Sequence, residues 1–225
     1  MGATSILMNL ATELLIRSTV KRLPVPLVGA VAFDGQKHTK DVTPKCLAAF
    51  ADLFSLIRPT RILEIGTHAG HSSCMMLGFS DASIVSVDIG TVWIGANHSF
   101  ADWSTTSAEG GLLYVEQVLR EAYGRDRFTL IIGDSTSEQV DDHLTALHHI
   151  RPFDCAFVDG DHSYPYVNSD IALARSFGIK DIIVDDYNND QSDTARAARE
   201  HGLVMVKEWK DLHSSGVSTA LMRAP

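Results

Sequence analysis

The stretch that decides the fold is Arg61-Ile-Leu-Glu-Ile-Gly-Thr-His-Ala-Gly-His-Ser-Ser73. It begins with a short apolar run, which is typical of a buried parallel strand. Gly66 and Gly70 follow where that run stops, and glycines there permit a tight turn. The next residues, with apolar positions 75–77, predict a helix. The unit is therefore strand, glycine turn and helix, with backbone N–H groups at the helix start available to a nucleotide-like ligand.

The glycine count restricts which nucleotide this turn accepts. A dinucleotide fingerprint has the form G-x-G-x-x-G, and its second glycine lets the backbone approach a pyrophosphate. Here that position is His68, and the pattern is only Glu64-x-Gly66-x-x-x-Gly70. A ligand without a pyrophosphate tolerates such a side chain. The same short pattern also occurs as a plain strand–helix turn, so its weight depends on the rest of the chain.

This segment resembles motif I of the class I S-adenosylmethionine-dependent methyltransferases. The form with Ser72 two residues after Gly70 is similar to the catechol and caffeoyl-CoA O-methyltransferase branch. The resemblance implies a Rossmann-like sheet and S-adenosylmethionine as the cofactor. It extends over roughly residues 44–225.

Strand and helix patterns alternate after a helix that Pro44 opens and Pro59 stops. Alternation of this kind indicates a parallel sheet with helices on both faces. The two final strand patterns, 203–209 and 218–222, are too close for a parallel crossover and should pair antiparallel. We therefore predict an α/β, Rossmann-like, doubly wound, mostly parallel seven-stranded sheet with a C-terminal antiparallel hairpin. The other predicted strands are 61–65, 84–88, 128–132, 153–158 and 181–184.

The chain has 225 residues, a formal net charge of −9, 45% apolar residues and 21% charged residues. This composition is typical of one soluble domain with an extension. The negative charge and the lack of a basic run disfavour a nucleic-acid partner, since such binding relies on clustered Lys and Arg. No apolar run reaches the ~18 residues of a membrane span, and no secretory leader is evident. We therefore expect a cytoplasmic protein without a membrane partner.

The cysteines Cys46, Cys74 and Cys155 show no C-x-x-C spacing. Their positions in predicted helices and a strand favour small core residues in a reducing compartment. No metal or redox role follows from them.

Two segments lie outside the alternating pattern. Residues 1–43 predict an N-terminal helical extension, with an apolar stripe in 5–20, and a connecting loop over 22–43. We expect this part to cover the pocket or to form an oligomer contact in a homo-oligomer; its few basic residues disfavour a membrane-surface helix. Residues 91–110 form a long aromatic insertion, which predicts either a lid over the ligands or oligomer packing. The predicted methyltransferase domain is 44–225.

Polar side chains end three consecutive strands of the predicted sheet, where open α/β sheets bind ligands. Glu64 ends the first strand, Asp88 the second, and Asp134 with Ser135 the third. A carboxylate after the second strand can accept both hydroxyls of a ribose. The resemblance assigns Asp88 to the ribose and Asp134 and Ser135 to adenine. It assigns Glu64, Gly66 and Ser72 to the methionine end, and Gly70 is a further cofactor-binding residue of the same turn.

A second polar group follows the fourth and fifth strands, in Asp-Gly-Asp-His-Ser-Tyr164 and Asp-Asp-Tyr187. Asp159, Asp185 and Asp186 would repel one another without a cation, and Mg²⁺ prefers oxygen ligands. The resemblance makes these three the ligands of Mg²⁺ or another divalent cation, and His162 the base. The D-G-D-H-S-Y version is similar to the macrocin and cephalosporin-pathway methyltransferases. Helix capping or turn formation is the structural alternative for these residues.

The sequence therefore predicts transfer of a methyl group from S-adenosylmethionine to a hydroxyl of a small molecule. The catechol-type branch carries Lys near the His162 position and Asn at the Asp186 position, which disfavours a simple catechol as acceptor. Two alternatives stay open at this point: a cofactor-binding protein with an idle metal site, and a nicotinamide oxidoreductase on a related sheet. His68 in place of glycine disfavours the second.

Overall fold

The computed structural model describes residues 44–90, 108–187, 192–210 and 218–225. The predicted N-terminal helix and loop (1–43) and nearly all of the aromatic insertion (91–110) lie outside these ranges, as do residues 188–191 and 211–217. None of the helices within the described ranges has the length and apolar character that a membrane span needs.

One seven-stranded sheet organises the described residues, in the order β3-β2-β1-β4-β5-β7-β6. The first five strands run parallel, whereas β7 is antiparallel to both β5 and β6. The predicted sheet and its antiparallel C-terminal hairpin are therefore confirmed. The strands are β1 (Arg61–Ile65), β2 (Ser83–Asp88), β3 (Phe128–Ile132), β4 (Cys155–Val158), β5 (Asp181–Val184), β6 (Val204–Trp209) and β7 (Thr219–Arg223).

Helices cover both faces of this sheet, as the near-continuous apolar runs of β1 and β4 require. The first three helices pack on one face and the last three on the other. The helices are α1 (Pro44–Ile57), α2 (His71–Phe79), α3 (Ala108–Tyr123), α4 (Glu138–Ile150), α5 (Tyr164–Ser176) and α6 (Asp193–Glu200). Cys46, Cys74 and Cys155 are free and buried, as predicted.

The parallel strands place their carboxyl ends along one edge of the sheet. Ile65, at the end of β1, is aligned with Val87 on one side and with Val158 on the other. Val158 is in turn aligned with Val184 of β5. The residues that follow these strands are therefore neighbours in space, although they are up to a hundred positions apart in the sequence.

Candidate active site

The turn after β1 lies directly against the backbone that follows β4. Gly66 has φ +96°, and a Cβ atom added there would lie 2.2 Å from the carbonyl oxygen of Asp159. The backbone N–H of Gly66 donates to Val87, and that of Asp159 donates to Ile65. Glycine is needed at position 66 because two pieces of backbone meet there. The sequence predicted a ligand-binding role for this glycine, and the structure adds a packing role.

Glu64 lies beneath the turn and is fully buried. Its carboxylate accepts hydrogen bonds from the hydroxyls of Ser72 at 2.7 Å and of Ser73 and Ser86 at 2.5 Å. Burial raises the pKa of Glu64, and the three hydroxyls partly offset that rise. The carboxylate thus joins β1, β2 and the start of α2. Direct contact of Glu64 or Ser72 with a ligand stays a prediction.

Asp88 holds the same turn from the end of β2. Its Oδ2 accepts hydrogen bonds from the backbone N–H groups of Thr67 and His68, at 3.0 and 2.8 Å. Its Oδ1 accepts from the N–H of Gly90 at 2.8 Å. The carboxylate is therefore fixed in place, with lone pairs left for further donors. His68 adopts φ 43° in this turn, a left-handed conformation that a non-glycine residue rarely takes.

A cavity of about 600 Å³ opens above these strand ends. It extends from the ends of β1, β2 and β3 to the segment after β4. Gly66, Asp88, Asp134, Ser135, Asp159 and His162 line it, so six of the predicted site residues share one space. Gly70 does not line it; at φ 75° it caps the start of α2 instead.

Asp134 and Ser135, which the sequence treated together, have different surroundings. The Asp134 carboxylate accepts from the N–H and hydroxyl of Thr136, at 2.8 and 2.7 Å, and shapes the turn before α4. The hydroxyl of Ser135 donates to Asp170 of α5 at 2.7 Å. Asp170 is only 2% exposed. Burial raises its pKa to about 6, although the Ser135 hydroxyl acts in the opposite direction.

Replacing Asp170 with asparagine should change how stability depends on pH. The folded protein holds the Asp170 proton more tightly than the unfolded chain, because burial raises the pKa from 3.8 to about 6. The resulting stabilisation is complete below about pH 4 and is lost as the pH rises through about 6, a change of about 1–3 kcal/mol. Asp170→Asn should lose less unfolding free energy than wild type over this interval, as measured by urea titration.

The matched control for this experiment is Asp161→Asn. The backbone N–H of Ser163 lowers the pKa of Asp161, so its contribution to stability is lost as the pH falls rather than as it rises. A wild-type pH profile in Asp170→Asn would show that the buried carboxyl does not bind the extra proton.

The predicted metal ligands and base lie next to one another, and two of them, Asp159 and His162, line the other end of the cavity. Burial, followed by the charge of Asp185, raises the pKa of Asp159 well above its usual range, and the two carboxyl groups share a hydrogen bond. Asp185 also accepts a hydrogen bond from the hydroxyl of Thr219 on β7. The Nε2 atom of His162 lies 3.7 Å from Asp159 Oδ1 and 3.5 Å from Asp186 Oδ2. The structure therefore brings all four residues together.

The cluster is a group of neighbouring carboxyl groups rather than a closed coordination shell. Within the described ranges, no three His, Cys, Asp or Glu side chains are arranged to hold a metal ion. Nevertheless, carboxylates at hydrogen-bonding distance suit a hard divalent cation, because its charge would remove their repulsion. The metal site therefore stays a prediction, although its three predicted ligands lie next to one another.

The residues that line the cavity without having been singled out by the sequence analysis include Ile89, Tyr166 and Asp170. Ile89 is 48% exposed directly after Asp88, so the cavity contains an apolar surface beside a fixed carboxylate. The sequence could have indicated Ile89, because it is an apolar residue directly after the carboxylate that ends β2. Nothing in the sequence marked Tyr166 or Asp170, since both lie in an ordinary helical pattern.

The model of one protein family, described as a methyltransferase domain, matches residues 63–187, more than half of the chain. The chain therefore belongs to this family of methyltransferase domains. No curated protein sequence matches it significantly.

Solved structures share this fold at low sequence identity. The O-methyltransferase from Bacillus cereus, in complex with SAH, is 18% identical, with a TM-score of 0.54 and coverage of 92% of this chain and 91% of that one. TomG from Streptomyces achromogenes, an O-methyltransferase involved in tomaymycin synthesis and in complex with SAM, is also 18% identical (TM-score 0.51, coverage 92% and 90%). Cofactor-bound Rv0187 from MTB is 18% identical, with a TM-score of 0.52 and coverage of 94% and 90%.

These findings confirm the predicted methyltransferase fold and enzyme class. They remove the nicotinamide oxidoreductase as an alternative. The structure agrees, because a His68 side chain lines the cavity where a pyrophosphate-binding turn would have glycine.

Proposed function

We propose that this protein transfers the methyl group of S-adenosylmethionine to a hydroxyl of a small molecule with the help of a divalent cation. The observation that carries the proposal is that one cavity is lined by the fixed Asp88 carboxylate and by Asp159 and His162, the members of the cluster that face it. The Asp88 carboxylate can bind a nucleoside, and the carboxylate–histidine cluster can bind and deprotonate an acceptor. The similar structures include O-methyltransferases in complex with SAH and SAM, which supports the same assignment.

The cofactor end of the cavity would fix the nucleoside. Asp88 retains lone pairs for the ribose hydroxyls, because its backbone partners approach from the turn. Ile89 offers an apolar surface, and the segment 133–135 lies beside it for the purine. S-adenosylmethionine supplies an electrophilic methyl group on a sulfonium sulfur. Since the turn containing Gly66 touches the backbone of Asp159, the protein holds the two ends of the cavity at a fixed separation.

The acceptor end would prepare the hydroxyl. Asp159, Asp185 and Asp186 are the residues that would hold a divalent cation, whose Lewis acidity makes a nearby hydroxyl easier to deprotonate. His162 Nε2 takes the hydroxyl proton, and the two carboxylates beside it stabilise the imidazolium that forms. The oxygen then attacks the methyl carbon opposite the sulfur. Holding both substrates in this alignment supplies a large part of the acceleration.

Calorimetric titration with S-adenosylmethionine, in Mg²⁺ and again in EDTA, tests the proposal. We expect micromolar binding under both conditions, because the nucleoside contacts are separate from the carboxylate cluster. Methyl transfer to a panel of hydroxylated small molecules should occur in Mg²⁺ and fall by at least about 100-fold in EDTA. The absence of binding in both buffers would overturn the methyltransferase assignment.

Variants of the cluster separate catalysis from mere cofactor binding. Asp159→Asn should bind S-adenosylmethionine but lose methyl transfer, whereas the control Asp126→Asn should keep both, since Asp126 is exposed and lies outside the cavity. Binding without turnover in the wild type, over a broad acceptor panel, would instead support a cofactor-binding protein with an idle metal site. A homo-oligomer, a cytoplasmic location and the lack of nucleic-acid and membrane partners stay predictions from the sequence.

A further inference from the structure

Asp170 is a buried carboxylate that forms part of the cavity wall. It lies in the second turn of α5, four residues after Tyr166, so both side chains project from the same face of the helix. Both line the cavity, together with Ser135 and Ile89. An aspartate that is only 2% exposed is rare in a helix unless a partner requires it. The hydrogen-bond partners of its two carboxylate oxygens therefore decide what this residue can bind.

Only one of the two carboxylate oxygens is engaged by the described residues. Asp170 Oδ1 accepts the hydrogen bond from Ser135 Oγ at 2.7 Å. Asp170 Oδ2 lies beside Gly160, where an added Cβ atom would come within 3.4 Å of it. Among residues 44–90, 108–187, 192–210 and 218–225, no other side chain or backbone N–H donates to this carboxylate. Burial and the nearby charges of Asp134 and Asp161 raise the pKa of Asp170, whereas the Ser135 hydroxyl and His162 act in the opposite direction.

A buried carboxylate oxygen without a donor is costly, so the site favours a ligand that carries one. The purine of S-adenosylmethionine has ring nitrogens that only accept hydrogen bonds, and its exocyclic 6-amino group is the one strong donor. With the ribose at Asp88, the purine reaches the end of the neighbouring strand β3, since Asp88 is aligned with Ile132. Ser135 follows three residues later and touches Asp170.

We propose that Asp170, held by Ser135, recognises the 6-amino group of the cofactor's adenine and rejects purines that carry a 6-oxo group. This inference rests on the proposed function and names its cofactor-specificity residue. The Asp170 side chain accepts the amino N–H at Oδ2, while Ile89 and Tyr166 offer apolar surface to the purine ring. Asp134, to which the resemblance assigned adenine together with Ser135, also lines the cavity, and its Oδ1 accepts hydrogen bonds from Thr136.

The test compares two ligands that differ at purine position 6, S-adenosylhomocysteine and S-inosylhomocysteine. Calorimetry on the wild type should show a preference for the adenosyl compound of roughly 30-fold or more, because the oxo group places an acceptor against a carboxylate. Asp170→Asn should bring this preference to within about threefold, since an amide can donate to the oxo group. The ratio is the informative quantity, because a merely structural change would weaken both ligands equally.

Asp134→Asn tests the competing contact of the 6-amino group with Asp134, and Asp126→Asn, in the exposed turn before β3, is the control outside the cavity. Circular dichroism on all three variants establishes that they fold. Asp126→Asn should keep the wild-type preference, and Asp134→Asn should keep it too because Asp170 makes the contact. If Asp170→Asn keeps the preference, or if Asp134→Asn loses it, the assignment to Asp170 is overturned while the proposed function stands. If the wild type binds neither compound, the proposed function itself fails, and that outcome is distinct from the other two.

Discussion

Gly66→Ala should be the most destabilising single substitution in the turn after β1, lowering the free energy of unfolding by about 3–5 kcal/mol. The left-handed backbone at φ +96° costs a non-glycine residue roughly 1–2 kcal/mol. The remainder comes from the contact of 2.2 Å between the new Cβ and the carbonyl oxygen of Asp159, with Gly160 Cα at 2.9 Å. Both are backbone atoms, so no side chain can rotate away to relieve the overlap.

A matched variant separates the two causes. Gly124 has φ +105°, and an added Cβ there meets nothing within 4 Å. Gly124→Ala should therefore cost only the conformational part, about 1–2 kcal/mol in a urea titration. Equal losses in the two variants would mean that the backbone after β4 yields easily. A folded fraction of Gly66→Ala should also lose methyl transfer, because relief of the clash moves Asp159 within the cluster.

Asp88→Ala should abolish measurable binding of S-adenosylmethionine, a loss of at least about 100-fold. The substitution removes acceptors for the ribose hydroxyls, and each hydrogen bond to a charged group contributes about 1.5–3 kcal/mol. It also leaves the N–H groups of Thr67, His68 and Gly90 without their acceptor, so the turn loses its anchor. Calorimetry on the variant and on wild type measures the change.

Two further variants make the Asp88 result specific. Asp126→Ala removes an exposed carboxylate from the turn before β3 and should bind as wild type does. Asp88→Asn keeps one oxygen for Thr67 and His68 and should show an intermediate loss, about tenfold. Wild-type affinity in Asp88→Ala would place the ribose elsewhere in the cavity.

The sequence predicted those parts of the fold that depend on local patterns. The apolar run before Gly66 identified β1, and the alternation that follows it gave the parallel sheet and its covered faces. Because parallel strands end at the same edge, the positions after β4 and β5 were enough to predict that Asp159 and Asp185 meet. The hydrogen bond between these carboxyl groups and the position of His162 agree with that prediction.

Other parts of the site depend on contacts that a local pattern does not encode. Asp170 lies in a helix whose apolar face is weakly marked, so its burial follows only from how α5 packs near Ser135. The contact of Thr219 with Asp185 arises because β7 turns back to lie beside β5. The separate roles of Asp134 and Ser135 follow from the turn geometry at Thr136. Each of these requires the three-dimensional arrangement of elements distant in sequence.

The position of β7 determines when β6 can join the sheet during folding. β6 is synthesised before β7, yet in the sheet it is joined only to β7, which separates it from β5. Until Thr219–Arg223 has inserted beside β5 during folding, the apolar stretch of residues 204–206 has no strand in the sheet to pair with and can associate with other chains. The charges of Lys207 and Glu208, directly after this apolar stretch, oppose such aggregation. Pairing of β7 with β5 is therefore the folding step on which the attachment of β6 to the sheet depends.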